Sequence, residues 1–419
     1  VTAGDARGIA AYGAILRPHG AWRFSAAGGL GRLNRVGSVV GAIVLLTATG
    51  MPYGVAGVVT AAIIVGGAVG GPSWSRAADR WGQRVVLVPA AVAAIVAAIG
   101  FTAAVLAGAP FPLVLVTALA LGLAIADPGA LVRARWMHLL RERDARHSAL
   151  ALETALDELA FLLGLPLITA IAAASPAAGL LCAAGAGAAG LVALRVLTAS
   201  IPPVRRDADR LLAAGWRGWL PVGVAPLLPA FLGVGVLFGF INLTGVAVTA
   251  AAGVPALAGV VIGAFSIGAV AAGLAWGILA RRLPGSGRLA VSTAVFVLLV
   301  PLLGIAHDPL GFAVLAAIAG AGFTPLLIAA TAAVEERTPL LTITVAMTWP
   351  PVAMSAGNAV GSMLTGAALD TGDVAASWWV PLVGVALAIL ALATALVARR
   401  GDRSTTPQAS GGSSSAAAS

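Results

Sequence analysis

Lysine is absent from this sequence; all 25 basic residues are arginine. Charged residues of either sign make up only 10% of the 419 residues, against about 25% in a usual soluble domain. That scarcity excludes a soluble globular class. A single cysteine, Cys182, excludes a disulfide within the chain. The four histidines, His19, His138, His147 and His307, show no metal-ligand spacing, so no metal is expected. The phosphate-binding pattern GxxxxGK[ST] is missing, which excludes a built-in ATP motor of that type. No serine-nucleophile elbow is present either. Neither an enzyme nor a cofactor is expected.

What is present is apolar. The chain is 60% hydrophobic with a mean hydropathy of +1.00. The apolar material recurs in blocks of roughly 20 residues, enough to cross about 30 Å of hydrocarbon as helix. The runs are continuous and not alternating, which excludes a membrane β-barrel. The sequence therefore predicts an all-α membrane protein with twelve spans: 24–48, 53–74, 85–107, 112–132, 149–174, 177–198, 222–248, 256–280, 288–306, 310–332, 341–369 and 376–398. Residues 1–23 carry three arginines and no long apolar core, so no cleavable signal peptide is expected.

The arginines occupy alternate loops: 75–84, 133–147, 199–221 and 281–288, together with both terminal segments. The loop at 333–340 is weaker, with Arg337 against Glu335 and Glu336. The other loops, near residues 51, 109, 175, 252, 308 and 372, contain no arginine. By the positive-inside rule both termini are expected to be cytoplasmic. Topology thus accounts for the net charge of +9 and the pI near 11.4, and no nucleic-acid partner is expected. The stretch 199–221, with paired prolines and alternating charge, reads as a linker between six-helix bundles at 24–198 and 222–398. Residues 399–419 form a low-complexity tail that cannot build a core. Gly66 with Gly70, and Gly357 with Gly361, have GxxxG spacing and mark candidate close helix contacts, including contacts between the halves.

Between spans two and three lies "SRAADRWGQR", residues 75–84. Asp79 follows a helix end among arginines, where a carboxylate can make charge-assisted bonds. Gly82 permits the tight turn into the next helix. The stretch resembles the G-x-x-x-D-R-x-G-R-R loop of the major facilitator superfamily. Asp79, Arg80, Gly82 and Arg84 match; Ser75 and Gln83 depart. The resemblance implies the twelve-helix, two-bundle transporter fold and a gating role for Asp79, Arg80, Gly82 and Arg84. In the equivalent second-half loop, Arg281 stands where the acid is missing. The Gly164–Pro166 pair of span five, and spans ten and eleven, resemble segments of actinobacterial drug or metabolite exporters of this superfamily. The glycine run that follows in drug exporters is absent here, as is their mid-membrane arginine in span four.

Three acids are unusual in so apolar a chain: Glu153, Asp157 and Glu158 near the start of span five. A charge at a helix centre costs about 2.5 kcal/mol or more. With Ser148 as N-cap, Glu153 is expected to reach headgroup water. Asp157 and Glu158 lie about 6–8 Å deeper at a rise of about 1.5 Å per residue. Arg32 and Arg35 of span one, i and i+3 on one face, are their candidate partners. Asp127, before Pro128 in span four, is a third acid near them. A carboxylate can release its ion pair on protonation while arginine stays charged. Asp157 or Glu158, with Asp127, is therefore a candidate proton carrier; a permanently paired structural network is the other reading. Asn34 adds a polar group and is a candidate cavity residue. The second half offers Asn242, Trp349 and Asn358 as candidate cavity residues, and Pro350 and Pro351 suggest a broken helix.

The expected function is secondary transport in the cell inner (plasma) membrane, as proton-coupled efflux of a small lipophilic compound by a monomer. An importer of the same fold and a non-transporting sensor or scaffold are the alternatives.

Overall fold

The computed structural model describes residue 16 and residues 20–203, 223–280, 283–306, 308–338 and 346–404. The linker beyond residue 203, the tail from residue 405, Arg281, Arg282, His19 and His307 lie outside the described residues. Among the described residues twelve helices are long and apolar enough to cross a membrane. The first half comprises α1 (Ala21–Ala48), α2 (Tyr53–Trp81), α3 (Gln83–Leu106), α4, α5 and α6 (Pro176–Val196). The second comprises α7 (Leu228–Ala251), α8 (Ala258–Leu279), α9 (Gly285–Leu299), α10 (Pro309–Arg337), α11 (Trp349–Leu369) and α12 (Val380–Ser404).

The fourth and fifth helices of the first half are interrupted within their spans, and both interruptions trace to proline. α4 consists of Phe111–Leu123 and Pro128–Leu139. Pro128 takes the first position of the second segment, where its missing N–H costs nothing, and the Asp127 carboxylate accepts the Ala130 amide at 3.2 Å. α5 runs from Arg143–Leu159 through a π-helical turn, Ala160–Gly164, into Leu165–Ala174. Pro166 offers no N–H to the carbonyl four residues back, so the ladder lengthens there.

Three expectations change. α5 begins with Arg143, so Ser148 lies inside the helix and does not cap it. The interruption expected at Pro350 and Pro351 lies just before them, in a turn at Met347 and Thr348 that follows helical Ala346; the prolines themselves occupy the first turn of α11, where proline is tolerated. The two GxxxG pairs close contacts within each half, not between halves. A Cβ on Gly66 or Gly70 would lie 2.5 or 2.4 Å from the carbonyls of Leu119 or Leu123 in α4. One on Gly357 or Gly361 would meet the Leu232 or Val236 carbonyl of α7 at 2.0 or 2.3 Å. Among lipid tails such backbone approach is a main source of helix association.

The halves meet along two seams, α2 with α11 and α5 with α8, and these close at the arginine-poor end. In the first seam Gly57 lies against the Ser362 carbonyl and Gly366 against the Tyr53 carbonyl. In the second, Gly259 lies against Leu165. Each seam also carries a polar bond of the same kind. The Asp370 carboxylate, at the end of α11, accepts the Gly54 amide in the first turn of α2 at 3.0 Å. The Thr169 hydroxyl, near the end of α5, accepts the Gly259 amide in the first turn of α8 at 3.0 Å. One half thus caps a helix N-terminus of the other. Toward the arginine-rich end, Arg76 and Asp79 of α2, Thr154 of α5, and Pro351 and Val352 of α11 are exposed, and the halves part.

Losing an N-cap acceptor costs about 1 kcal/mol, or roughly five-fold in an equilibrium. Thr169→Val is therefore expected to shift the population by about that factor toward opening at the arginine-poor end, while Thr169→Ser preserves the closed form. Labelling of an engineered cysteine at that end, in a Cys182→Ser background, checks both.

Candidate functional site

Arg32 of α1 is 2% exposed and lies between two carboxylates of α5. Its Nη2 donates to Glu153 Oε2 at 2.6 Å and its Nε to Asp157 Oδ1 at 2.6 Å. Asp157 also pairs with Arg133, from the second segment of α4. Glu153 accepts two further bonds, from Ser25 Oγ at 2.6 Å and Trp136 Nε1 at 2.8 Å. Phe24 packs edge-on against Trp136 at 4.6 Å and helps seal this cluster.

Glu153 is fully buried, which corrects the expectation that it reaches headgroup water. The early start of α5 and the cover from α1 and α4 carry it inside. Arg133 and Arg135, assigned to a loop by sequence, belong to the second segment of α4. The signal was available: Asp127 and Pro128 form an N-cap and first helical position, so the arginines after them are helical. Arg135 is 0% exposed. It donates to Gln83 Oε1 at 2.8 Å, to the Leu194 and Leu197 carbonyls at 2.7 and 2.8 Å, and to Ser200 Oγ at 3.0 Å. Gln83 in turn donates to the Leu131 carbonyl. The glutamine that departs from the loop motif is thus an acceptor for this buried guanidinium.

Glu158 is turned away from that network. Its carboxyl faces Ser266 of α8 across the seam, with Arg35 among the charges acting on it. Among the described residues neither Glu158 nor Arg35 forms an ion pair. Arg35 is exposed. At about 100° per residue it points nearly opposite the apolar stripe of exposed Ala26 and Leu30 and half-buried Leu33. That stripe borders an apolar groove of about 400 Å³ on the lipid side, shared with Leu159, Leu163 and Leu167 of α5. Arg35 therefore faces the space between the halves.

The remaining expected residues divide. Asp127 is a helix cap and does not join the charge network. Asn34 is 5% exposed, accepts the Ser38 hydroxyl and packs on Gly187 of α6, away from the central space. Asn242 is half-buried on α7, one turn beyond half-buried Phe238 on an otherwise enclosed helix. Asn358 lies in the tight contact of α11 with Gly235 and Gly239, its Oδ1 buried without a partner. Trp349 opens α11 against the second-half core. In the loop motif, Asp79, Arg80 and Arg84 are exposed, and Gly82 adopts φ 87°, a conformation that favours glycine. Asp79 makes no side-chain bond among the described residues. Sequence reading missed an aromatic triad: Phe238, Phe265 and Phe323, from α7, α8 and α10, meet pairwise at 5.2–5.3 Å.

Glu153→Ala leaves Ser25, Trp136 and part of Arg32 without an acceptor. Breaking a buried pair in this way costs about 3–5 kcal/mol, so a marked fall in unfolding temperature in detergent is expected. Glu153→Gln, which keeps an acceptor oxygen, is expected to lose less.

Comparisons with known proteins agree with this architecture. The family model of the Major Facilitator Superfamily matches residues 29–300. The nucleoside transporter NupG superposes with a TM-score of 0.65 at 12% identity, covering 91% of this chain and 98% of that one. The xylose transporter XylE from E. coli, in a partially occluded inward-open conformation, gives 0.60 at 12% identity over 92% and 98%. A bacterial homolog of the human lysosomal transporter Spinster, inward-facing and occupied, gives 0.62 at 15% over 91% and 96%. No curated protein matches the chain by sequence. The chain belongs to the major facilitator superfamily.

Proposed function

We propose that the protein is a proton-coupled exporter of a small lipophilic compound, working by alternating access across the plasma membrane with both termini cytoplasmic. The observation that carries the reading is Glu158: it is a carboxylate well inside a span, away from the helix ends where Asp79 and Glu335 lie, and among the described residues it has neither an ion pair nor a capping role. It sits where α5 meets α8, so its charge state acts on the contact between the halves. Asp157, held by Arg32 and Arg133, and fully buried Glu153 serve as the fixed charge frame beside it.

With the arginine-rich end cytoplasmic, the described conformation is inward-facing. Asp79 makes no side-chain bond in it among the described residues, which supports the reading that the loop motif latches the halves at that end in the opposite state. The proton enters through Glu158 once the arginine-poor seams part. Protonation removes the negative charge facing Ser266 and Arg35 and changes the balance between the two closed arrangements.

Proteoliposomes with an imposed pH gradient test this. Glu158→Gln is expected to abolish gradient-driven substrate movement while leaving gradient-free exchange of substrate intact. Full coupling in that variant removes Glu158 from the mechanism. Asp79→Asn is expected to slow cycling with substrate affinity retained; loss of affinity with unchanged conformational exchange argues against the latch.

A further inference from the structure

Arg35 carries a permanent charge near the middle of a span, exposed to the space between the halves and without an ion-pair partner among the described residues. An intramembrane arginine of this kind is expensive to keep unless something pairs with it. Arg32, three residues away, shows the contrast: two carboxylates hold it and it is closed to the central space. The neighbouring acid whose charge acts on Arg35 is Glu158, but its carboxyl faces Ser266 and forms no ion pair with Arg35 among the described residues.

Ser266 follows Phe265 on α8, and Phe265 belongs to the triad with Phe238 and Phe323. Phe238 is the member that remains partly exposed. Asn242, one turn along the same face of α7, is half-buried beside it. An exposed cation on α1 and an aromatic face with one amide on α7 therefore border the same space. A largely apolar neutral compound would use the aromatic face and leave Arg35 unanswered. A cation would face repulsion from Arg35.

We infer that the cargo is an amphipathic organic anion: one carboxylate or comparable acidic group pairing with Arg35, and an aromatic or bulky apolar body lying on Phe238. The guanidinium fork suits a carboxylate in two-point contact. This narrows the lipophilic compound of the proposed function and rests on the same central site, but it does not depend on proton coupling or on the direction of transport.

Equilibrium dialysis with the full chain in nanodiscs tests it, using three probes of one shape: 2-naphthylacetate, 2-(2-naphthyl)ethanol and 2-(2-naphthyl)ethylamine. The acid is expected to bind at least about ten-fold more tightly than the alcohol, and the amine most weakly, since a charge-assisted bond of about 1.5 kcal/mol or more corresponds to that factor. Arg35→Gln should erase the acid's advantage, Arg35→Lys should retain part of it, and Phe238→Ala should weaken the acid and the alcohol alike. Monodisperse elution and unchanged helical content confirm that each variant is folded. Equal binding of acid and alcohol, preference for the amine, an acid advantage that survives Arg35→Gln, or no binding of any probe each overturns the assignment. A protein that prefers the acid but moves it without proton coupling keeps this inference and loses the coupling. Proton-driven transport with a preference for the amine does the reverse.

Discussion

The first half is organised around one guanidinium. In hydrocarbon an uncompensated charge is so unfavourable that Arg32 and the two α5 acids can be present only together. Once they are paired, the relative positions of α1 and α5 follow, and Arg133 and Trp136 add the second segment of α4. That segment can be reached only because α4 breaks before Pro128. Removing either partner would leave a buried charge, so the network behaves as one unit and cannot be tuned piecemeal. It also fixes what is left over. Arg35 and Glu158 stand outside it, and among the described residues neither forms an ion pair.

Among the described residues the second half shows no buried charge network of this kind. Its cohesion comes from small residues that bring backbones together, as where Gly235 and Gly239 meet Gly357 and Gly361, and from aromatic packing. Trp378 joins Phe240 and Phe312 at 5.8 and 6.1 Å. The two halves thus divide the work: a charged, fixed frame on one side, and an apolar wall with an aromatic face on the other.

The sequence made the fold legible because lipid imposes a simple code. Twelve long apolar runs, arginine confined to alternate loops, and one loop motif with a positive-φ glycine at Gly82 sufficed. The charge network was half legible. Arg32 and Asp157 could be paired from depth and face alone, but Glu153 was misplaced because the start of α5 is marked by no strong cap. Arg133 and Arg135 were misread because a broken span looks like a short span followed by a basic loop. Asn34 could not be assigned a side from sequence, since its direction depends on which neighbour, α6 or the central space, lies across from it. The aromatic triad was hidden for a related reason: its members are scattered over three helices, and no spacing within one helix announces it.

The caps exchanged between halves bear on how the molecule is made. While the chain is being synthesised, the first half emerges alone. The Gly54 amide then has no Asp370 to meet, and Thr169 has no Gly259 amide to receive. Neither half can close its arginine-poor end by itself, so that closure records the arrival of α8 and α11. A truncated chain would retain its internal frame around Arg32 but lack the seal, and the surfaces that normally form the seams would stay open to lipid and water. Completion of biosynthesis is thus written into the contacts that join the two halves.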